Sequence, residues 1–293
     1  MKNYLNPCND FVFKLFFSTP ENKPLLISFL ESVIRPSHPI KEVGLLNSEL
    51  CKDALDEKTS FLDLYVELDN GTRIDIEMQM VTNRFFKKRL LYYWSRLHAK
   101  QLGTGIDYSK LLPTISITIL ADIEFKNCPD DAHSLFELRE RKRNELYLPD
   151  LEIHFLELPK LARWTDDKDI NYDKLERWMR FFNLKNEPEG CTQKLAKDPV
   201  MSKALKALEI LSQNPDARAL AEMREDARIN YISGINAAHE EGEEKGRAEG
   251  KLEGKAEGEI NSIKKLSKKG ISPEDISNLL DIDLDKILEI LKS

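Results

Sequence analysis

Two carboxylates that one hairpin would set face to face are the chemically informative feature of this chain. Phe61-Leu62-Asp63-Leu64-Tyr65-Val66-Glu67-Leu68 is followed by Asp69-Asn70-Gly71 and then by Thr72-Arg73-Ile74-Asp75-Ile76-Glu77-Met78-Gln79-Met80. Both arms alternate at period two, the pattern of strands with one buried face. A two-residue Asn70-Gly71 loop pairs Leu64 with Glu77 and mixes apolar with charged side chains. A three-residue loop with Gly71 in the left-handed region sorts them. Leu62 then meets Met78, Leu64 meets Ile76 and Val66 meets Ile74 on one face. Glu67 meets Arg73, Tyr65 meets Asp75 and Asp63 meets Glu77 on the other, with Phe61 facing Gln79. Asp63 and Glu77 stand within about 5.5 Å at Cβ, where like charges destabilise a sheet.

A divalent cation relieves that repulsion. Mg²⁺ takes octahedral oxygen coordination from one or two carboxylates, water and phosphate, and can activate a water and stabilise the leaving oxygen in phosphodiester hydrolysis. The bland alternative is a polar face with carboxylates in water, common in antiparallel sheets. The next segment shifts the balance. Between Thr82 and Lys110 lie Arg84, Lys87, Lys88, Arg89, Arg96, Lys100 and Lys110 against one acid, Asp107. Arg89, Tyr92, Arg96 and Lys100 recur at helical spacing, which suits phosphates flanking a metal. Phe86, Leu90, Tyr93 and Leu97 form the adjoining apolar stripe, so Tyr93 reads as core and Tyr92 stays open.

The elements that position these residues mix helix and strand up to about residue 160. A helix from Asp10 carries Phe13, Phe16 and Phe17, Pro24 opens a second over Leu25 to Ile34, and Pro36 and Pro39 close it. The hairpin precedes a helical pattern over Asn83 to Leu102 and a buried strand over Thr114 to Ala121, with further strands at Ser134 to Arg141 and Leu151 to Leu158. Beyond about residue 165 the signal is helical: Tyr172 to Phe182, Val200 to Leu211 and Asp216 to Ile235. Glycine recurs at 242, 246, 250, 254 and 258 among charged residues. In a helix each glycine costs ~1 kcal/mol relative to Ala, against ~0.3–0.5 kcal/mol for each Glu/Lys pair, which favours a marginally helical spacer over an oligomerisation helix. Ser272-Pro273-Glu274-Asp275 then caps a short helix. Ile276, Leu279, Leu280, Leu284, Ile287, Leu288 and Leu291 complete a small module whose acids, Asp281, Asp283, Asp285 and Glu289, favour protein over DNA contact. The expected divisions are 1–165, 166–235, 236–259 and 260–293.

The 293 residues carry 44 Lys+Arg against 51 Asp+Glu, a net charge of -7, so nucleic-acid binding requires a local basic patch. Cys8, Cys51, Cys128 and Cys191 lack metal or redox spacing. With no membrane-length apolar run and no signal-peptide pattern, a reducing, cytoplasmic location is expected. The five histidines do not cluster at ligand spacing, and Gly-x-Ser-x-Gly, His-Glu-x-x-His and Walker motifs are absent.

Asn6-Pro7 to Asp10 with Phe13-Lys14, the Asp63 strand, Ile76-Glu77-Met78-Gln79, Arg89-Leu90-Leu91-Tyr92-Tyr93, Gly105-Ile106-Asp107-Tyr108 and Glu157-Leu158-Pro159-Lys160 together resemble the PD-(D/E)XK nuclease superfamily. More closely, they resemble the Rpn family of recombination-promoting nucleases, also called PD-(D/E)XK nuclease family transposases. Their order and spacing carry the likeness, and the Gly-every-four tail also looks like that family. The resemblance implies an α/β, restriction-endonuclease-like core of α-β-β-β-α-β order, a mixed sheet flanked by helices, followed here by an all-helical C-terminal region. It implies a metal-dependent DNA endonuclease, linked to recombination or mobile elements, that uses Mg²⁺ or another divalent cation such as Mn²⁺ or Ca²⁺. By position Asp63 and Glu77 match the metal-binding acids. Gln79 stands where the superfamily usually has Lys, and Asp10 matches an acid on the first helix, its alternative being a helix cap. Gln79 can orient water or bind phosphate but lacks the charge, which Lys88 or Arg89 is placed to replace. Lys88, Arg89, Arg96 and Lys100 are the expected DNA contacts, and the helical tail is a candidate for self-association. The rivals are a non-catalytic DNA-binding or assembly protein with a vestigial site, and an RNA nuclease using the same residues.

Overall fold

The computed structural model describes residues 4–46, 64–102, 105, 107–161 and 172–292. They form two compact units, 1–225 and 226–293. In chain order the elements are α1 (Asp10–Ser18), α2 (Lys23–Ile34), β1 (Val43–Leu46), β2 (Leu64–Leu68), β3 (Arg73–Gln79), α3 (Phe86–Ala99), β4 (Thr114–Leu120), β5 (His133–Arg139) and β6 (Leu146–Glu157). Helices α4 (Lys174–Phe182), α5 (Glu189–Leu195), α6 (Pro199–Gln213), α7 (Pro215–Lys268), α8 (Pro273–Leu280) and α9 (Leu284–Lys292) follow. The described strands make a six-stranded sheet in the order β1-β2-β3-β4-β6-β5. β1, β2 and β3 pair antiparallel, β3, β4 and β6 run parallel, and β5 closes the other edge antiparallel to β6.

The hairpin takes the register its turn demands. Leu64 pairs with Ile76, Tyr65 with Asp75, Val66 with Ile74 and Glu67 with Arg73. Gly71 adopts φ +83°, and its N–H donates to Leu68 O at 2.8 Å while Leu68 N–H donates to Thr72 O at 2.9 Å. Only glycine takes that conformation without strain, and a Cβ there would also collide with Leu112. The expected pairs of Leu62, Asp63 and Phe61 lie outside the described residues.

Period-two alternation gives the sheet two differently covered faces. Ile74, Ile76, Met78, Ile115, Ile117 and Ile119 join the main core with Phe13, Phe16 and Phe17 of α1, Leu26 and Phe29 of α2, Trp178, Phe181 and Phe182 of α4, and Met201, Leu205 and Leu208 of α6. On the opposite face Phe86 and Leu90 of α3 pack with Leu120, Ile153 and Phe155. Helices α4, α5 and α6 and the first turns of α7 therefore share a core with α1 and α2. Polar ties reinforce this: Leu5 N–H donates to Ser212 Oγ at 2.8 Å, Cys8 Sγ to Phe182 O at 3.0 Å and Asn9 Nδ2 to Ala221 O at 3.3 Å.

Several elements differ from the sequence reading. β1 is too short, at four residues, to carry a periodic signal. β6 starts at Leu146, because its first half pairs with β5 across register shifts next to Leu138. The glycine repeat lies wholly within helix α7, where propensity alone favours a marginal spacer. Extending an established helix avoids the cost of nucleation, and Lys245 Nζ pairs with Glu241 at 2.6 Å. In the second unit Ile263, Ile276 and Ile287 form the core and Ser272 caps α8, as its sequence anticipates. Leu279, at 67% exposure, faces solvent instead. Among the described residues no helix is long and apolar enough to cross a membrane.

Candidate active site

Asp75, Glu77 and Gln79 alternate along β3 and so share one face of the sheet. The parallel register with β4 sets Asp75 beside Ser116, Glu77 beside Thr118 and Gln79 beside Leu120. Ser116 and Thr118 are 1% and 0% exposed, and Asp75 is 6% exposed. Buried hydroxyls and carboxylates thus occupy strands whose other face is aliphatic. Thr118 Oγ1 has no hydrogen-bond partner among the described residues, a costly state for a buried hydroxyl.

Helix α3 covers this polar row. Phe86 and Leu90 anchor its first half in the smaller core. Its second half is tethered to the start of β4 by Trp94 Nε1 donating to Thr114 O at 2.7 Å and by His98 Nδ1 at 3.0 Å from Thr114 Oγ1. Held this way, Arg89 reaches down to β3. Its Nη2 donates to Glu77 Oε1 at 2.8 Å and to Gln79 Oε1 at 2.7 Å, while Gln79 Nε2 donates to Val81 O. Glu77 is nearly enclosed: burial pushes its carboxyl above the usual carboxylate range, and the Arg89 guanidinium pulls it back.

The other expected site residues divide. Asp63 lies outside the described residues. Asp10 does not cap α1: Asn9 does, its side chain accepting from Val12 N–H at 3.2 Å, while Asp10 Oδ1 accepts from the adjacent Phe11 N–H at 2.7 Å. The expectation of Asp10 as cap is corrected by one residue, since the helix begins at Asp10 itself. α1 packs on the aliphatic face of the sheet, and among the described residues no hydrogen bond or ion pair joins Asp10 to Glu77. Lys88 and Lys100 are exposed and Arg96 half-buried. Arg96 Nη1 donates to Tyr92 Oη at 2.9 Å and its guanidinium lies 5.5 Å from that ring centroid. Tyr92 is 54% exposed, which places it with the cations, whereas Tyr93 is half-buried.

Three residues here escaped the sequence reading. Asp75 was legible as a face-mate of Glu77 but not as a buried one. Ser116 and Thr118 needed the β3–β4 pairing, which no local pattern gives. Elsewhere, His133 Nε2 lies 2.9 Å from His154 Nδ1, and His154 Nε2 lies 3.2 Å from Glu152 Oε2, a contact invisible in sequence spacing.

The donors that β3 and β4 offer on this face are oxygens from carboxylate, amide and hydroxyl. Such a set fits Mg²⁺, Mn²⁺ or Ca²⁺ better than a thiophilic metal. The unpartnered Thr118 hydroxyl leaves an oxygen available there. Among the described residues no three His, Cys, Asp or Glu side chains gather into a closed metal cage.

A six-stranded mixed sheet flanked by helices and followed by a long helical region is consistent with a PD-(D/E)XK-like fold. A family comparison matches residues 7–238 to the PD-(D/E)XK nuclease family transposases, and the chain belongs to that family. No curated protein and no solved structure matches it.

Proposed function

We propose that the chain is a divalent-metal-dependent DNA endonuclease acting in recombination or mobile-element processes. The observation that carries this reading is the enclosed Glu77 carboxylate, tied through Arg89 to Gln79, on a polar sheet face under a helix rich in cations. Glu77, with Asp63, would hold Mg²⁺ or a similar cation, which supplies an activated water and stabilises the leaving oxygen. Gln79 presents an amide able to orient that water. Lys88, Arg96 and Lys100 hold DNA phosphates by charge, with Arg89 nearest the acids. Asp10 stands as an accessory acid only if it reaches the site when DNA or metal is bound.

Purified protein is expected to nick supercoiled plasmid with Mg²⁺ or Mn²⁺. Activity should vanish with EDTA and in both Asp63→Ala and Glu77→Ala. Metal-dependent cleavage that survives both substitutions would sink the assignment. Competition between DNA and RNA decides the substrate.

A second reading has its own support: Arg89 already compensates Glu77, so the acid needs no metal to be tolerated. On that reading the protein binds DNA or assembles without cleaving it, and every form would bind plasmid and leave it intact. We assign the C-terminal unit to self-association in a reducing, cytoplasmic setting. Sedimentation should give the full chain a multiple of one protomer's mass and a chain lacking residues 236–293 the mass of one protomer, and the same number of protomers in both would remove that role.

A further inference from the structure

We infer that Arg89 is an exchangeable counter-ion, which holds Glu77 while the metal site is empty and turns to a DNA phosphate when a divalent cation takes that carboxylate. This rests on the reading of Glu77 as a metal ligand.

A single guanidinium nitrogen, Nη2, serves both Glu77 Oε1 and Gln79 Oε1, at 2.8 and 2.7 Å. That position lies between the two β3 side chains that would meet the metal and its water. A cation bound to the same carboxylate would face Arg89 at a few ångströms, in surroundings where like charges repel far more strongly than in water. Arg89 can leave at modest cost, because its side chain is 39% exposed while that of Glu77 is 12% exposed. It also lies on the same face of α3 as Tyr92, Arg96 and Lys100, so the guanidinium that withdraws from Glu77 turns toward the side chains assigned to phosphate. The consequence is a reciprocal coupling: metal weakens the Arg89–Glu77 pair, and removing the arginine charge must tighten metal.

The test is calorimetric titration of Mn²⁺ into the full chain in wild-type, Arg89→Met, Arg89→Gln, Arg89→Lys and Glu77→Gln forms. It is paired with the salt dependence of duplex DNA affinity in Ca²⁺ and in EDTA. Both neutral Arg89 variants should bind Mn²⁺ about tenfold more tightly than wild type, with Arg89→Lys close to wild type. The neutral variants should also lose about one unit of log–log salt slope in Ca²⁺ and none in EDTA. Equal or weaker Mn²⁺ binding by both neutral variants would overturn the exchange and leave Arg89 a fixed positioning residue. If wild type and Glu77→Gln bind Mn²⁺ alike, the metal-ligand reading itself falls.

Discussion

Lys160 Nζ lies 2.6 Å from Glu157 Oε2, with the two side chains 1% and 0% exposed. Glu157 Oε1 accepts from the N–H groups of Glu124 and Phe125 at 2.8 and 3.0 Å, and Lys160 Nζ donates to Phe125 O at 2.8 Å. The pair therefore pins the loop after β4 to the end of β6. Removing one partner strands a buried charge, which costs about 3–5 kcal/mol. Lys160→Met is expected to lose that much stability in urea unfolding, and adding Glu157→Gln should recover part of it.

Asn9 and Asp10 are adjacent but do different work. Asn9 caps α1 and also donates to Ala221 O, so Asn9→Ala should cost about 1–2 kcal/mol. Asp10 adds charge in the first turn and one local hydrogen bond from Phe11 N–H, and Asp10→Ala should cost about 0.3–1 kcal/mol. Thermal melts of the two variants at one pH check the ordering.

His133 makes stability depend on acid. Burial holds its imidazole down at about 4, against an ordinary 6.5, with the neighbouring His154 and Arg35 adding to this and Asp173 opposing it. Below pH 6.5 the unfolded chain takes a proton that the folded ring refuses, so stability is complete above that pH and is lost as pH falls toward 4. The full shift would be worth ~3 kcal/mol, and solvent access to the part-exposed ring reduces this to ~1–2 kcal/mol. His133→Gln should flatten the unfolding free energy between pH 6.5 and 4. An undiminished slope would assign the acid sensitivity elsewhere.

Cys8 and Cys191 should be inert in the native protein. Burial pushes both thiols up to about 12, leaving almost no thiolate at neutral pH. Cys128 is exposed. Peptide mapping after brief alkylation should find Cys128 modified and Cys8 and Cys191 intact, with both labelled once urea is added.

Local chemistry made part of this fold readable. Asn70-Gly71 and the alternation around it determine the β2–β3 register, because a shift by one residue would bury Glu77 among the aliphatic core. Phe86 and Leu90 likewise announce which side of α3 is buried. What stayed hidden depends on neighbours distant in sequence. Thr118 acquires meaning only once β4 lies beside β3, His133 meets His154 only across β5 and β6, and Arg89 reveals its grip on Glu77 only when α3 is laid over the sheet. The shift of the cap from Asp10 to Asn9 was a choice between two competent residues that sequence could not separate. For the candidate site, the placement of Glu77 and Gln79 on one face of β3 was legible. The buried hydroxyls beside them were not.

The ties from Leu5, Cys8 and Asn9 to Phe182, Ser212 and Ala221 set a timetable for biosynthesis. The phenylalanines of α1 leave the ribosome well before α4 and α6, the helices that cover them. At ~5–20 residues per second, that interval lasts on the order of ten to forty seconds. During it an aromatic segment waits without its lid, a natural client for holding chaperones, and any stall before α6 yields a nascent chain unable to close its own core.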